Sequence, residues 1–448
     1  MTKLDTRVDW GRRLMYSIVC PNCWHTLYPE DVLFISKHPG LLGDSALGAE
    51  EYKRFIPMRF TLTGEALDAK GFPSSDLACP RCHLQIPGPM LELPPLFISL
   101  IGSPASGKSY FLTTMIWELR RMLPDARLSF SDADPVANSA VHEYERTLFL
   151  NPQPDQPTEI RKTQTDDPRL YRTARINDAP IRFPVPLQFC LQPTQSHPRF
   201  RHGKLGRLLI LYDNAGEDFL PGAEDVGTAV IQHLAKSQIL LTMFDPTQEP
   251  RFRESCHSDD PQLTRGLRPD PTTAQVLLRQ ETILTEAARR IRRFLGISQE
   301  KRIKQPLIVI VPKFDLWSEL AGVDMDKEPY VFGNEHRPLQ IKLADIEQVS
   351  LKIREMILRF CPEYIASVEG LSERVRYIPV SSLGRSPQVV QQDEKTFYGI
   401  CPKDVQPKWV TVPLMYCLAR WAPGMLQVHD VSPGSGLDVG DVSREAQS

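Results

Sequence analysis

The 448-residue chain has no apolar run approaching the ~20 residues a membrane-spanning helix needs. Its opening stretch, Met1–Gly11, is polar and charged and lacks the apolar core of a secretory signal, so a cytoplasmic location is expected. No excess of one charge is present: 53 Lys and Arg face 55 Asp and Glu, a net of −2. The overall balance therefore does not point to nucleic acid or an anionic membrane as partner. Cysteine is too sparse, nine in all, for a disulfide scaffold, and no internal repeat is visible. What remains, 41% apolar and 24% charged residues, is the balance of a globular protein. Proline is abundant: 40 residues, crowded in stretches such as Pro152–Pro157 and Pro184–Pro198, predict long loops.

The length predicts two or three units. Near the start, Cys20-Pro21-Asn22-Cys23 and Cys79-Pro80-Arg81-Cys82 form two C-P-x-C turns. Each turn aims two thiolates at one point, and two such turns make a tetrahedral four-cysteine site for Zn²⁺. Over fifty residues separate the pairs, which predicts a zinc ribbon carrying an insertion. A redox pair is the alternative. His25 and His83 adjoin the turns and read as supporting or exposed groups. The other cysteines have no partner spacing. Lys37, His38, Lys53, Arg54 and Arg59 give this part mild positive character without a basic stripe. Arg289-Arg290-Ile291-Arg292-Arg293 is a sharper cluster, read as a solvated helix face or a dock for an acidic protein.

Further on, Phe97-Ile98-Ser99-Leu100-Ile101 reads as a buried strand. Gly102-Ser103-Pro104-Ala105-Ser106-Gly107-Lys108-Ser109 matches G-x-x-x-x-G-K-[ST], and helical spacing follows at Phe111, Met115, Leu119 and Met122. The glycines let the backbone amides curl toward phosphate oxygens, and the N-terminal end of the helix beginning around Ser109 and Tyr110 adds positive potential. Lys108 carries charge to the β- and γ-phosphates, and the Ser109 hydroxyl is a ligand for Mg²⁺. Apolar runs at Leu208–Tyr212, Ile239–Phe244, Leu307–Val311 and Val375–Val380 alternate with helical patterns at Gly227–Ala235, Thr273–Leu295 and Ala344–Phe360. That alternation predicts an α/β fold with a mostly parallel sheet. A helix around Val136–Leu150, a strand pattern over Ile181–Leu191 and a mobile insertion over Pro246–Pro271 are also expected.

Three further elements follow the phosphate loop in order. Asp213 ends the second apolar run and is placed to hold the Mg²⁺ water shell; Asp213-Asn214-Ala215-Gly216-Glu217 resembles the D-x-x-G element of GTPases. Pro312-Lys313-Phe314-Asp315 resembles the guanine-reading [NT]-K-x-D element, with Pro312 in place of Asn or Thr and the side-chain hydrogen bond of that position lost. A solvated charge pair is the alternative. Ser381-Ser382, after Tyr377–Val380, resembles the last base-contacting turn. Together the elements look like the translation-factor and Ras-type class of P-loop GTPases. The nearer resemblance is to bacterial double-GTPase proteins associated with multi-gene conflict or defence-type systems, on the cysteine pairs ahead of the first strand and on Phe244-Asp245-Pro246.

The resemblance implies a zinc-ribbon-like module over 1–92, a P-loop GTPase-like domain over 93–422 with insertions at about 130–180 and 246–272, and a flexible tail over 423–448. It implies GTP or GDP as ligand, with Gly216 sensing the γ-phosphate and Lys313, Asp315, Ser381 and Ser382 at the base. Glu217 stands where small GTPases have a water-positioning glutamine, which implies slow hydrolysis. Thr163 is the chosen switch threonine among Thr158, Thr163 and Thr165. The expected function is a GTP-binding, slowly hydrolysing switch with protein partners. Two alternatives stay open: an ATPase using Lys108, Ser109 and Asp213, and a nucleotide-stabilised zinc scaffold.

Overall fold

The computed structural model describes residues 14–160, 169–200, 205–214, 228–256, 260–264, 279–392 and 395–429. Seven strands build the large sheet: β1 (Pro95–Gly102), β2 (Leu128–Asp132), β3 (Leu187–Pro193), β4 (Arg207–Asp213), β5 (Ile239–Met243), β6 (Leu307–Val311) and β7 (Val375–Pro379). Their spatial order is β2-β3-β4-β1-β5-β6-β7. The helices of eight or more residues are α1 (Lys108–Met122), α2 (Ser139–Leu148), α3 (Thr228–Lys236), α4 (Gln280–Leu295), α5 (Phe314–Ala321), α6 (Leu343–Phe360), α7 (Pro362–Leu371) and α8 (Val412–Trp421). Among the described residues no helix is long and apolar enough to cross a membrane.

The fold is mixed α/β. The apolar runs became strands of the sheet, three of them in its middle and Val375–Pro379 at one edge, with β5 and β6 buried at every residue, as expected of strands covered on both faces. β4/β1, β1/β5, β5/β6 and β6/β7 are parallel. β2/β3 and β3/β4 are antiparallel, so the sheet is mixed. β2 reads Leu-Ser-Phe-Ser-Asp and fully buries only Leu128, a one-sided edge that antiparallel pairing tolerates.

Several boundaries differ from the sequence reading. The helix expected over Val136–Leu150 runs from Ser139 to Leu148, and the helix expected from Thr273 is described from Gln280. The pattern over Ile181–Leu191 divides where Pro184 and Pro186 interrupt it. Its first part, Ala179–Pro184, pairs with Tyr171–Ile176 in a hairpin. Asn177 and Asp178 turn that hairpin at φ of 51° and 62°, the left-handed pair of a two-residue turn. The stretch from Pro246 is not loose at its start: Thr247 and Phe252 are buried.

Strand alternation splits the interior into two clusters. Leu209 and Leu211 face the helix side with Leu100, Phe111 and Met115. Leu208, Ile210 and Tyr212 face the other way and meet Cys20, Trp24, Phe183 and Ala229. The cysteine-bearing N-terminal segment is thus part of the sheet's own core. Trp24 stands at its centre, with ring centroids 4.4 Å from Phe97 and 5.9 Å from His233. Its indole N–H donates to Nδ1 of His233, and the Tyr212 hydroxyl donates to the Pro21 carbonyl. His233 is fully buried and stacks on Tyr212 at 4.1 Å.

Burial holds the His233 imidazole neutral and lowers its pKa to about 3. Unfolded, the same ring takes up a proton near pH ~6.5. This group therefore leaves stability unchanged above about pH 6.5 and lowers it as pH falls from there toward 3. We expect His233→Phe to lose stability less steeply than the wild type between pH ~6.5 and ~4, measured by denaturant midpoints. Parallel slopes would contradict the buried neutral ring.

Candidate functional site

The phosphate-loop sequence folds as strand, arch and helix. A Cβ on Gly102 would lie 3.0 Å from Cβ of Met243 and 3.2 Å from Oγ of Ser106, so any larger residue would have to push these side chains back by a few tenths of an ångström. Gly107 has φ of 93° and Ala105 φ of 58°, the left-handed steps that curl the arch. Ser106 closes it by donating Oγ to the Ser103 carbonyl at 2.8 Å. Lys108 begins α1 and turns its Nζ back onto the carbonyls of Gly102 and Ser103, both at 2.9 Å. Ser109 and Tyr110 follow in the first turn. The Tyr110 hydroxyl accepts the Ile160 amide at 2.9 Å.

Parallel register brings the other residues to the same sheet edge. Leu100 pairs with Asp213, Gly102 with Met243, Met243 with Ile310, and Val311 with Pro379. The carboxyl ends of β4, β1, β5, β6 and β7 therefore carry Asp213, the arch, Asp245, Lys313 with Asp315, and Ser381 with Ser382. The chain leaves β1 toward one side of the sheet and later crosses from β4 to β5 on the other side. Open α/β sheets bind ligands at such a topological switch point.

Asp213 is half-buried, with its Oδ1 shielded from solvent and, among the described residues, without a hydrogen-bond partner. Burial raises its pKa, opposed by the charge of Lys108. Gly216, Glu217 and Thr163 lie outside the described residues. Lys313 stands at φ of 59°, caps α5, and donates from Nζ to Oδ2 of Asp245 at 2.7 Å and to Oγ1 of Thr247 at 3.0 Å. Asp315, in the first turn of α5, accepts from the Ser381 hydroxyl. Burial raises the Asp315 pKa, and that hydrogen bond opposes it. Pro312 brings no side-chain donor; its carbonyl accepts the Trp317 indole at 2.9 Å.

Sequence reasoning noted Asp245 only within Phe244-Asp245-Pro246, read the stretch from Pro246 as a mobile insertion, and gave no role to Thr247 or Gln248. Asp245 is fully buried and also accepts from the amide and hydroxyl of Thr247, at 3.0 and 2.7 Å. Gln280, at the start of α4, bonds the Asp245 backbone in both directions at 2.8 Å. Gln248 accepts from the Ser103 hydroxyl at 2.8 Å and donates to the Pro104 carbonyl at 3.1 Å. An acid following a strand apolar but for Thr242 was a usable signal for Asp245. Gln248 sits in a proline-rich stretch with no periodicity to mark it.

Arg289–Arg293 is largely committed within the chain. Arg289 and Arg290 pair with Glu286, and Arg292 donates to the carbonyls of Lys301 and Gly370. His83 Nδ1 sits 2.9 Å from both oxygens of Asp44 in the segment between the cysteine turns, away from a ligand role.

The four turn cysteines converge. Their Sγ atoms lie within 4.8 Å of one another, with Cys20–Cys82 at 3.8 Å and Cys23–Cys79 at 3.7 Å. A disulfide needs sulfurs about 2.05 Å apart. Tetrahedral Zn–S bonds of about 2.3 Å give sulfur–sulfur edges of about 3.8 Å, which matches. All four are buried: burial pushes the Cys20 thiol up, while a hydrogen bond from Cys20 pulls Cys79 down. A divalent ion would balance the thiolates, and four sulfur ligands leave no open position for catalysis. We expect about one zinc per chain by metal analysis, lost in Cys79→Ser and released on acidification as the thiolates protonate. Metal-free protein purified without chelator would contradict the site.

A comparison with protein-family models finds no match. A protein of Mycolicibacterium smegmatis, SaeC, named provisionally as an ESX-1 scaffolding and assembly protein, is 26% identical over 366 residues, 78% of this chain and 82% of SaeC. Among solved structures, translation elongation factor SelB of Methanococcus maripaludis, in complex with the GTP analogue GppNHp, aligns with 65% of this chain at 9% identity. The chain spans 30% of that factor, and the TM-score of 0.20 is too low to define a shared fold.

Proposed function

We propose that this chain binds a guanine nucleotide at the carboxyl edge of its large sheet and uses it to organise a surface for protein partners. The observation that carries the reading is the arch of Gly102–Ser109 at the switch point, with Lys108 folded onto its own carbonyls and the half-buried Asp213, its Oδ1 shielded from solvent, within reach of the Lys108 charge. In this reading the nucleotide phosphates take Lys108 from those carbonyls, and the arch amides and α1 N-terminus meet the phosphate oxygens. Ser109 and Asp213 are the pair that would hold Mg²⁺; the buried, unpartnered Oδ1 of Asp213 suits a divalent cation. The ion would neutralise charge on the β- and γ-phosphates.

Asp315 and Lys313 would meet the base, with Ser381 setting the rotation of the Asp315 carboxylate and Ser382 beside it. Gly216 would sense the γ-phosphate, Thr163 would close on the ion, and Glu217 would orient water. A carboxylate beside the γ-phosphate adds charge where charge is already concentrated, so turnover is slow. The similarity to SaeC supports an assembly role more than a defence role, and it also favours a second reading in which the nucleotide steadies a scaffold without being consumed.

Lys108→Ala should abolish binding of labelled GTP, because it removes the positive charge that would meet the β- and γ-phosphates. Asp315→Asn should shift preference from guanine toward xanthine nucleotides, by competition binding. Unchanged affinity in Lys108→Ala would overturn the reading. Turnover compared with and without added partner proteins separates the switch from the scaffold.

A further inference from the structure

The loop after β5 touches both halves of the candidate site. On one side Gln248 uses its whole amide on the arch, accepting from the Ser103 hydroxyl at 2.8 Å and donating to the Pro104 carbonyl at 3.1 Å. On the other, Asp245 and Thr247 hold the ammonium of Lys313 at 2.7 and 3.0 Å. The loop itself is rigidly seated. Asp245 and Thr247 are buried, and Gln280 fixes the Asp245 backbone through two hydrogen bonds of 2.8 Å.

Pro312 makes this seating matter. The position before Lys313 carries no side-chain hydrogen-bonding group, so it cannot tie the base-side loop to the arch. Pro104 has no N–H to offer a phosphate, and its carbonyl must be satisfied elsewhere. Gln248 satisfies it and at the same time fixes Ser103, the first residue of the arch after Gly102.

We infer that Gln248 is the positioning residue for the phosphate loop, and that Asp245–Gln248 is a brace linking phosphate grip to the base-side Lys313 in place of a side chain at position 312. The inference rests on the nucleotide-binding reading above. Gln248 acts through the loop: it holds Ser103 and Pro104 so that the following amides stay turned inward before a phosphate arrives. A preformed loop spares the ligand the cost of ordering it.

The test measures GMP and GDP affinity and nucleotide-free melting for the full-length wild type, Gln248→Ala, Ser103→Ala, the double variant and Lys108→Ala. Gln248→Ala should weaken GDP about tenfold, equivalent to about 1.4 kcal/mol, and shrink the gain in affinity from GMP to GDP. A general loss of structure would lower both nucleotides alike. Ser103→Ala should weaken GDP in the same direction, and the double variant should bind no worse than Gln248→Ala, because both changes break one contact. If Gln248→Ala does not fold, the Ser103→Ala affinity decides, and a wild-type value overturns the inference. Wild-type GDP affinity and GMP-to-GDP gain in Gln248→Ala, with binding lost in Lys108→Ala, overturns the brace and leaves the nucleotide reading standing. Equal GDP binding by wild type and Lys108→Ala removes the reading and the brace together.

Discussion

The candidate site depends on one register: β1 lies between β4 and β5, with Leu100 opposite Asp213 and Gly102 opposite Met243. Parallel pairing makes adjacent strands end on the same edge, so three loops far apart in sequence open side by side. A slip of one residue would turn every side chain of a strand to the other face. Here such a slip would exchange Tyr212 and Leu211 between their clusters and take Asp213 off the edge. The fully buried β5 and β6 resist this, since each buried Ile, Leu or Val is worth about 1.5–3 kcal/mol. Apolar packing sets the frame, and the polar groups at its edge are arranged on it.

Those polar groups are costly where they stand. A buried acid without a partner loses hydration and gains nothing back. Asp245 is offset by Lys313 and Thr247, and Asp315 by the Ser381 hydroxyl. Asp213 keeps an oxygen without a partner among the described residues. Two of the three acids at the edge are thus offset by described partners, while the third carries the cost of a shielded oxygen. The cysteine turns lie behind the same edge. Trp24 and Pro21 touch Tyr212, the neighbour of Asp213, and Trp24 also bonds His233 on α3. The first cysteine turn and the residue after it thus contact β4 at Tyr212 and α3 at His233.

Legibility in the sequence followed the type of constraint. The buried strands were readable because Leu307–Val311 is wholly apolar and Ile239–Met243 is apolar but for Thr242. The arch was readable because its backbone needs Gly102 and Gly107, and the cysteine turns because tetrahedral convergence dictates their spacing. Elements with one wet face were not: β2 and the Tyr171–Ile176 strand mix polar and apolar residues without a run to mark them. The role of the Asp245–Gln248 segment was unreadable for a different reason. Its role comes from contacts with Ser103, Pro104 and Lys313, which only the register brings near. Pro246 disguised it as a loop.

The most direct test of the account is competition on the purified wild-type chain: labelled GDP displaced by GTP, by GDP and by ATP, with Mg²⁺ present. A site that pairs Asp315 with two guanine donors should reject adenine strongly, because adenine leaves the carboxylate without those donors and with only the Ser381 hydroxyl. The account expects GTP and GDP to displace the label at similar concentrations and ATP to require at least about a hundredfold more, on the order of 3 kcal/mol. Equal displacement by ATP would contradict it, and the edge would then belong to a nucleotide site that does not read its base.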